Sequence, residues 1–322
     1  MGLIFYVSVA CSLTGFVLSI LGVFAGNTPG FMENYDVITL NTSALGRNYV
    51  PALVNALDTR AVLDKAGGAG DGANGSATAE LRPRKLTLPA AEGVLAGLPA
   101  DTAADDMASV LGISQFYSLH VLGACEGTYA PNATASSGTW RNVSVCSASL
   151  GAKQLNFSAR IDHELSMQFT GPASLAALGA SSSLLAALNR VPTLGLALTV
   201  FYIVGAAAAG LSLLLTGASL VTRSSYARKT VLFNLAAAAG AALALLVAAL
   251  VATVAGGAAV DSINRLGRET IGMAAARGKS FANMTWAAFG LMTVAALYWA
   301  RELQADVRAA AAAAAKKRAA AA

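Results

Sequence analysis

Four long stretches of this chain hold almost nothing but apolar side chains, and the polar residues gather between them. The first runs from Leu3 to Ala25, the second from about Leu194 to Val221, the third from Val231 to about Ala255 and the fourth from about Phe281 to Ala300. No Asp, Glu, Lys, Arg or His interrupts any of them. At 1.5 Å of rise per residue, runs of roughly 20–28 residues bridge a hydrocarbon layer of about 30 Å. Strand-like alternation is absent, so the crossing elements are helices, whose backbones satisfy themselves. The expected fold is an all-α membrane bundle of four transmembrane helices, at 1–26, 194–221, 231–255 and 281–300. A large loop at 27–193, a short one at 222–230, a third at 256–280 and a tail at 301–322 complete the division. Trp286 near one end of the fourth span, and Tyr298 and Trp299 near the other, fit an interfacial belt.

Two stretches admit other readings. Val23-Phe24-Ala25 would pass as a signal-peptide cleavage site, yet the apolar run is longer than usual for one and no basic segment precedes it. A retained helix is therefore expected, and either case delivers 27–193 to the same side. Leu165 to Asn189 is uncharged too, but Gly171-Pro172, three serines at 181–183, Arg190 and Pro192 argue against a fifth crossing. It reads as an outside helix leading into the second span.

Composition agrees with a membrane solvent. Of 322 residues, 56% are hydrophobic and 12% charged, against about 25% charged in a typical soluble domain. The net charge of +5 is spread along the chain, and no basic block interleaved with aromatics suggests nucleic-acid binding.

The loop at 27–193 carries five N-x-S/T triplets, at Asn41, Asn74, Asn132, Asn142 and Asn156. Such triplets arise by chance in Ser/Thr-rich sequence, but five beside a cysteine pair point to a lumenal, glycosylated origin. A sixth, Asn283, sits at the membrane edge and is expected to be unused. Parity then places 222–230 and both termini in the cytoplasm. Basic residues support this in part, and are expected to face anionic lipid: Arg223, Arg228 and Lys229 in the short loop, and Lys316, Lys317 and Arg318 in the tail. The loop at 256–280, assigned outside, also holds Arg265, Arg268, Arg277 and Lys279, so the positive-inside bias is incomplete.

Within the large loop, residues 66–78 are Gly/Ala-rich and read as a flexible insert. Helical spacing marks Pro51 to Lys65, and Asp101 to Leu111 looks like a second short helix. Gly138 to Ser158 suits short strands or irregular structure. Asp261 to Ser280 reads as a short helix or hairpin. The alanine-rich tail favours helix, as an extension of the fourth span or as a low-complexity end.

Candidate chemistry is sparse. Cys125 and Cys146 enclose about 20 residues; a disulfide there would stabilise the outer domain by about 3 kcal/mol, the alternative being two free thiols. Cys11 lies in an apolar run and is expected to pack. Asp162, His163 and Glu164 are consecutive and so unsuited to converge on a substrate. No nucleophile elbow, zinc-protease helix or phosphate loop occurs, and no cofactor or metal is expected. Spans without ionisable groups disfavour a pump or coupled transporter.

One set of residues is more specific. Phe116-Tyr117-Ser118-Leu119-His120, then Cys125-Glu126-Gly127 and Tyr129, with Cys146-Ser147 downstream, resembles the outer-loop motif of the fungal Sur-seven/PalI family. Gly278, Phe281 and Thr285-Trp286-Ala287-Ala288 resemble the start of that family's fourth helix. The resemblance covers most of the chain, and the Cys-Glu-Gly segment is its most specific part. It implies a four-span plasma-membrane protein with a claudin-like plan, so a small claudin-like sheet plus helices becomes the first expectation for the outer loop. It also implies a non-enzymatic organiser of cortical membrane domains, of the kind tied to eisosomes, endocytic sites and the cell wall. Expected partners are the bilayer with its anionic lipids, other copies or other cortical membrane proteins, and the wall. The 66–78 insert looks private to this chain. The short tail departs from PalI-type members, which carry long ones, and tilts the expectation away from ambient-pH signalling. That second reading predicts an alkaline growth defect on deletion; a channel or transporter is a third.

Overall fold

The computed structural model describes residues 3–46, 108, 111–130, 140–148, 156–168, 174–222 and 228–321. Its elements in chain order are helix α1 (Leu3–Phe24), strands β1 (Ile38–Asn41), β2 (Phe116–Leu119), β3 (Gly123–Ala130) and β4 (Trp140–Ala148), then helices α2 (Phe157–Gln168), α3 (Ser182–Thr222) and α4 (Arg228–Leu250). A π-helical turn, Val251–Ala255, joins α4 to α5 (Gly256–Gly267), and β5 (Ala274–Arg277) precedes α6 (Lys279–Ala321).

Four helical stretches are long and apolar enough to cross a membrane: Phe5–Phe24, Ser182–Ser219, Arg228–Gly267 and Lys279–Ala320. Alanine and leucine favour helix intrinsically, and in lipid the helix leaves few backbone groups unpaired. Most hydroxyls on these helices are disposed of locally. Ser19, Thr253, Thr285 and Thr293 each donate to the carbonyl four residues earlier. Small side chains bring the helices close: α4 buries Ala238, Ala241 and Ala248, and Ala288 and Ala295 of α6 belong to the same packed core as the first two.

A five-stranded antiparallel sheet, in the order β4-β3-β2-β1-β5, sits on one end of the bundle. Four of its strands come from the large loop and the fifth from the loop before α6. α2 packs on it through Phe157, Ile161 and Leu165, one helical face at four-residue spacing. The core continues from Leu40, Tyr117 and Leu119 through Leu188 and Leu198 to Tyr202, Phe281 and Met284. Sheet and spans thus share one apolar interior. Polar links cross the same boundary: Thr199 of α3 donates to the Val121 carbonyl, and Tyr202 of α3 bonds Thr285 of α6 at 2.7 Å. The outer edge of β5 is covered by a side chain acting as a strand. Asn264 of α5 donates to the Ala275 carbonyl at 2.9 Å and accepts from its amide at 2.8 Å.

The all-α membrane bundle with a disulfide-tied domain, sheet included, is the architecture found. Several details differ from the sequence reading. The helix holding the second span starts at Ser182, twelve residues before the apolar run, and carries Pro192 in its interior. Residues 256–267, read as part of a separate loop, continue the third helix through the π-helical turn. Trp299 is fully buried against Phe5, with ring centroids 6.4 Å apart, and so does not face an interface. Trp286 is 38% exposed, near the sheet end of α6. The tail continues α6 as one helix of 43 residues. The insert 66–78, the helix expected at 51–65 and most of 101–111 lie outside the described residues.

Candidate functional site

The residues of the outer-loop motif meet on β2 and β3, and each has a physical task. Cys125 and Cys146 are direct cross-strand partners and form the expected disulfide, with Cα atoms 4.1 Å apart. The Cys125 sulfur also lies 3.1 Å from the Gly26 carbonyl at the end of α1; an oxidised sulfur has no proton to donate, so this is a packing contact. Gly127 follows at a register shift between β3 and β4. A methyl there would overlap the Asn142 carbonyl, so the strands close only over a glycine. Phe116 is buried and tilts against Tyr129, with centroids 5.2 Å apart.

Glu126 and Tyr117 point to α2. Arg160 of that helix donates to Glu126 at 2.6 Å and to Glu164 at 3.0 Å. The Tyr117 hydroxyl donates to the other Glu164 oxygen at 2.5 Å and accepts from the Ser114 amide at 3.1 Å. Burial, then the neighbouring Glu164, pushes the Tyr117 hydroxyl far up, so it stays a donor. Burial also raises Glu126, with Arg160 opposing. One guanidinium serves two carboxylates, at the wall of an open groove of about 380 Å³ lined by Gly112, Arg160, His163, Glu164 and Met167.

A second network spans the sheet. Arg141 of β4 reaches Asp36 at 2.8 Å and Thr39 at 2.8 Å, passing 5.9 Å from the Phe116 ring centre. Thr39 in turn donates to Asp36 at 2.6 Å. The last strand of the large loop is thereby tied to β1 through Thr39 and, by an ion pair, to Asp36 just before it. Sequence reasoning missed this pair and the Arg160–Glu126 pair, because the partners lie 105 and 34 positions apart; the four-residue spacing of Arg160 and Glu164 was the one local signal of that site.

His120, also in the motif, is buried in the turn after β2. Burial holds its imidazole down at about 4, against opposition from Asp36. A group whose folded pKa lies below its unfolded value of 6.5 binds more protons when unfolded. The sheet should therefore lose stability as pH falls from about 6.5 to about 4, by on the order of 3 kcal/mol. Thermal unfolding across that window should show the slope, and His120→Gln should flatten it. An unchanged slope in the variant would assign the effect elsewhere.

The other sequence-marked residues are dispersed. Asn41 ends β1, where its side chain accepts from the Ser43 amide and hydroxyl. Asn142 is exposed on β4. Asn156 caps α2, accepting from Ser158 and from the Ala159 amide. Asn74, Asn132 and Arg223 lie outside the described residues. Arg228 and Lys229 open α4, and Lys316, Lys317 and Arg318 stand exposed near the end of α6. Asp162 and Glu164 diverge, since Asp162 accepts from the Leu175 amide. Cys11 packs beside the apolar core at the far end of the bundle. Among the described residues no group of three His, Cys, Asp or Glu is placed to hold a metal.

The charged groups of this arrangement face each other, across the sheet and between the strands and α2. No curated protein and no solved structure matches the chain. A family model described as SUR7/PalI matches residues 3–298. That span takes in the first apolar helix, the Cys-Glu-Gly strand with its disulfide and the start of the fourth helix, and the chain belongs to the SUR7/PalI family of membrane proteins.

Proposed function

We propose that this protein is a non-enzymatic organiser of plasma-membrane domains at the cell cortex, with the sheet outside and both termini in the cytoplasm. The observation that carries the reading is the shared interior of sheet and bundle. A domain built this way cannot swing independently of its spans, so a contact made by the sheet is transmitted to the position of the helices in the bilayer. Many apolar residues on the spans point outward, Leu214, Leu243 and Leu297 among them, and meet lipid or neighbouring proteins. Arg228 and Lys229 lie where anionic headgroups would be met, at about 1 kcal/mol per charge. The outer sheet engages the wall or neighbouring copies, and glycans at Asn142 fit its exposed position.

A fluorescent carboxyl-terminal fusion imaged in living cells, with a protease-protection check of the tail, tests this. Immobile cortical patches and a protected tail are expected. Diffuse or endomembrane signal would sink the cortical role, and an exposed tail would reverse the sidedness.

A further inference from the structure

Not every hydroxyl in the bundle is satisfied by its own helix. Ser8 and Ser12 of α1 and Ser212 of α3 are at most 1% exposed. None of their Oγ atoms reaches a hydrogen-bond partner in the protein. Ser19 on the same face of α1 does, donating to Gly15 at 2.7 Å. So does Thr216 on α3, which donates to the Ser212 backbone carbonyl at 2.7 Å.

The three unpartnered hydroxyls share one level of the bundle. Gly22 stands against Tyr202 and Gly210 against Phe16, so α1 and α3 run antiparallel. One to two turns further along, Ser12 and Ser8 come level with the stretch from Ser212 to Thr216. α4 adds Asn234, fully buried, whose side-chain oxygen lies 3.0 Å from the Thr216 hydroxyl and shares its one proton with the Ser212 carbonyl, and whose amide donates to the Thr230 carbonyl at 3.0 Å. Apolar residues close the level on both sides: Phe5 and Val231 toward one end, Ala209, Leu245 and Met292 toward the sheet. Between them, α4 and α6 present the fully buried Ala238 and Ala295, whose methyl groups offer the hydroxyls no hydrogen-bond partner.

Burying a hydroxyl in hydrocarbon without a partner is costly. An interior water needs two to four polar partners, and this level supplies them from three helices. We propose that it is an internal water-binding site, with the Ser8, Ser12 and Ser212 hydroxyls as its walls and the Thr216–Asn234 pair as its fixed end. The ligand is water, held between apolar layers and out of reach of the bulk. The site rests on the bundle alone and is independent of any cortical role.

Solid-state NMR on the full chain in lipid bilayers, with labelled serine and asparagine, tests it through magnetisation transfer from water. Transfer to Ser8, Ser12 and Ser212 should build up severalfold faster than to Ser19, which is equally buried but bonded to its own helix. Equal rates at all four would mean that the hydroxyls have turned back onto their own carbonyls, and would overturn the site. Ser12→Ala should in addition slow the transfer to Ser212 and leave Ser19 unchanged. Unaltered transfer to Ser212 would place the water elsewhere and also overturn it. Should that variant fail to fold, the wild-type comparison decides alone.

Discussion

Cys125→Ser should destabilise the sheet by about 3 kcal/mol, the size expected for opening a loop of this length. The bond closes a separation of 21 residues and joins β3 directly to β4. β4 is an edge strand of the sheet, and beyond the ladder with β3 it is tied by the disulfide and by the bonds of Arg141 to Asp36, Thr39 and Asn34. A serine at 125 would also bury a hydroxyl where Cys125 is 1% exposed. Thermal unfolding and limited proteolysis should show β4 released first, with the spans still helical. Cys146→Ser should cost about the same, and the double variant little more than either single one, because both remove one bond. Additive losses would show that the thiols contribute separately and that the bond is not the source.

Gly278→Ala should be at least as damaging, although the change is one methyl. Gly278 lies between β5 and α6, and its amide donates to the Val37 carbonyl at 3.1 Å. An added Cβ would overlap the Asp36 carbonyl. Neither neighbour is a flexible side chain, so main chain must move, and β5 would lift from β1. More than about 3 kcal/mol is expected, above the usual cost of overpacking. Gly290→Ala, inside α6, is the control, since nothing lies near its added methyl; it should be neutral or stabilising by up to about 1 kcal/mol. Similar melting temperatures for the two variants would refute the close-approach account.

These two positions also show what the sequence carried and what it did not. The spans were legible because uncharged runs of this length have few other uses, and the disulfide because only two cysteines lie in the large polar loop. β5 was not legible. Ala274-Ala275-Ala276-Arg277 has little strand propensity, and it forms a strand because β1 offers it an edge and Asn264 covers its far side. Ser182 to Arg190 looked unlike a membrane helix for its serines and for Pro192, yet Leu184 and Leu188 are fully buried in the core shared with the sheet. Tertiary packing overrides the proline there. Glu126 stood out in the motif, but its partner Arg160 did not, because an ion pair between a strand and a later helix leaves no periodic trace. Ser8, Ser12 and Ser212 passed unremarked, since single hydroxyls hardly change the hydropathy of an apolar run.

The continuity of α6 sets a distance. About 24 Å of helix separates Lys316 from the end of the apolar run at Ala300, at 1.5 Å per residue. Physiological salt screens charge over about 8 Å. The headgroups reach roughly 6 Å beyond the hydrocarbon, so if the arm stands along the bundle axis, Lys316, Lys317 and Arg318, read from the sequence as lipid-facing, stand about two screening lengths clear of the membrane that anchors them, and what they attract comes chiefly from the solution around them.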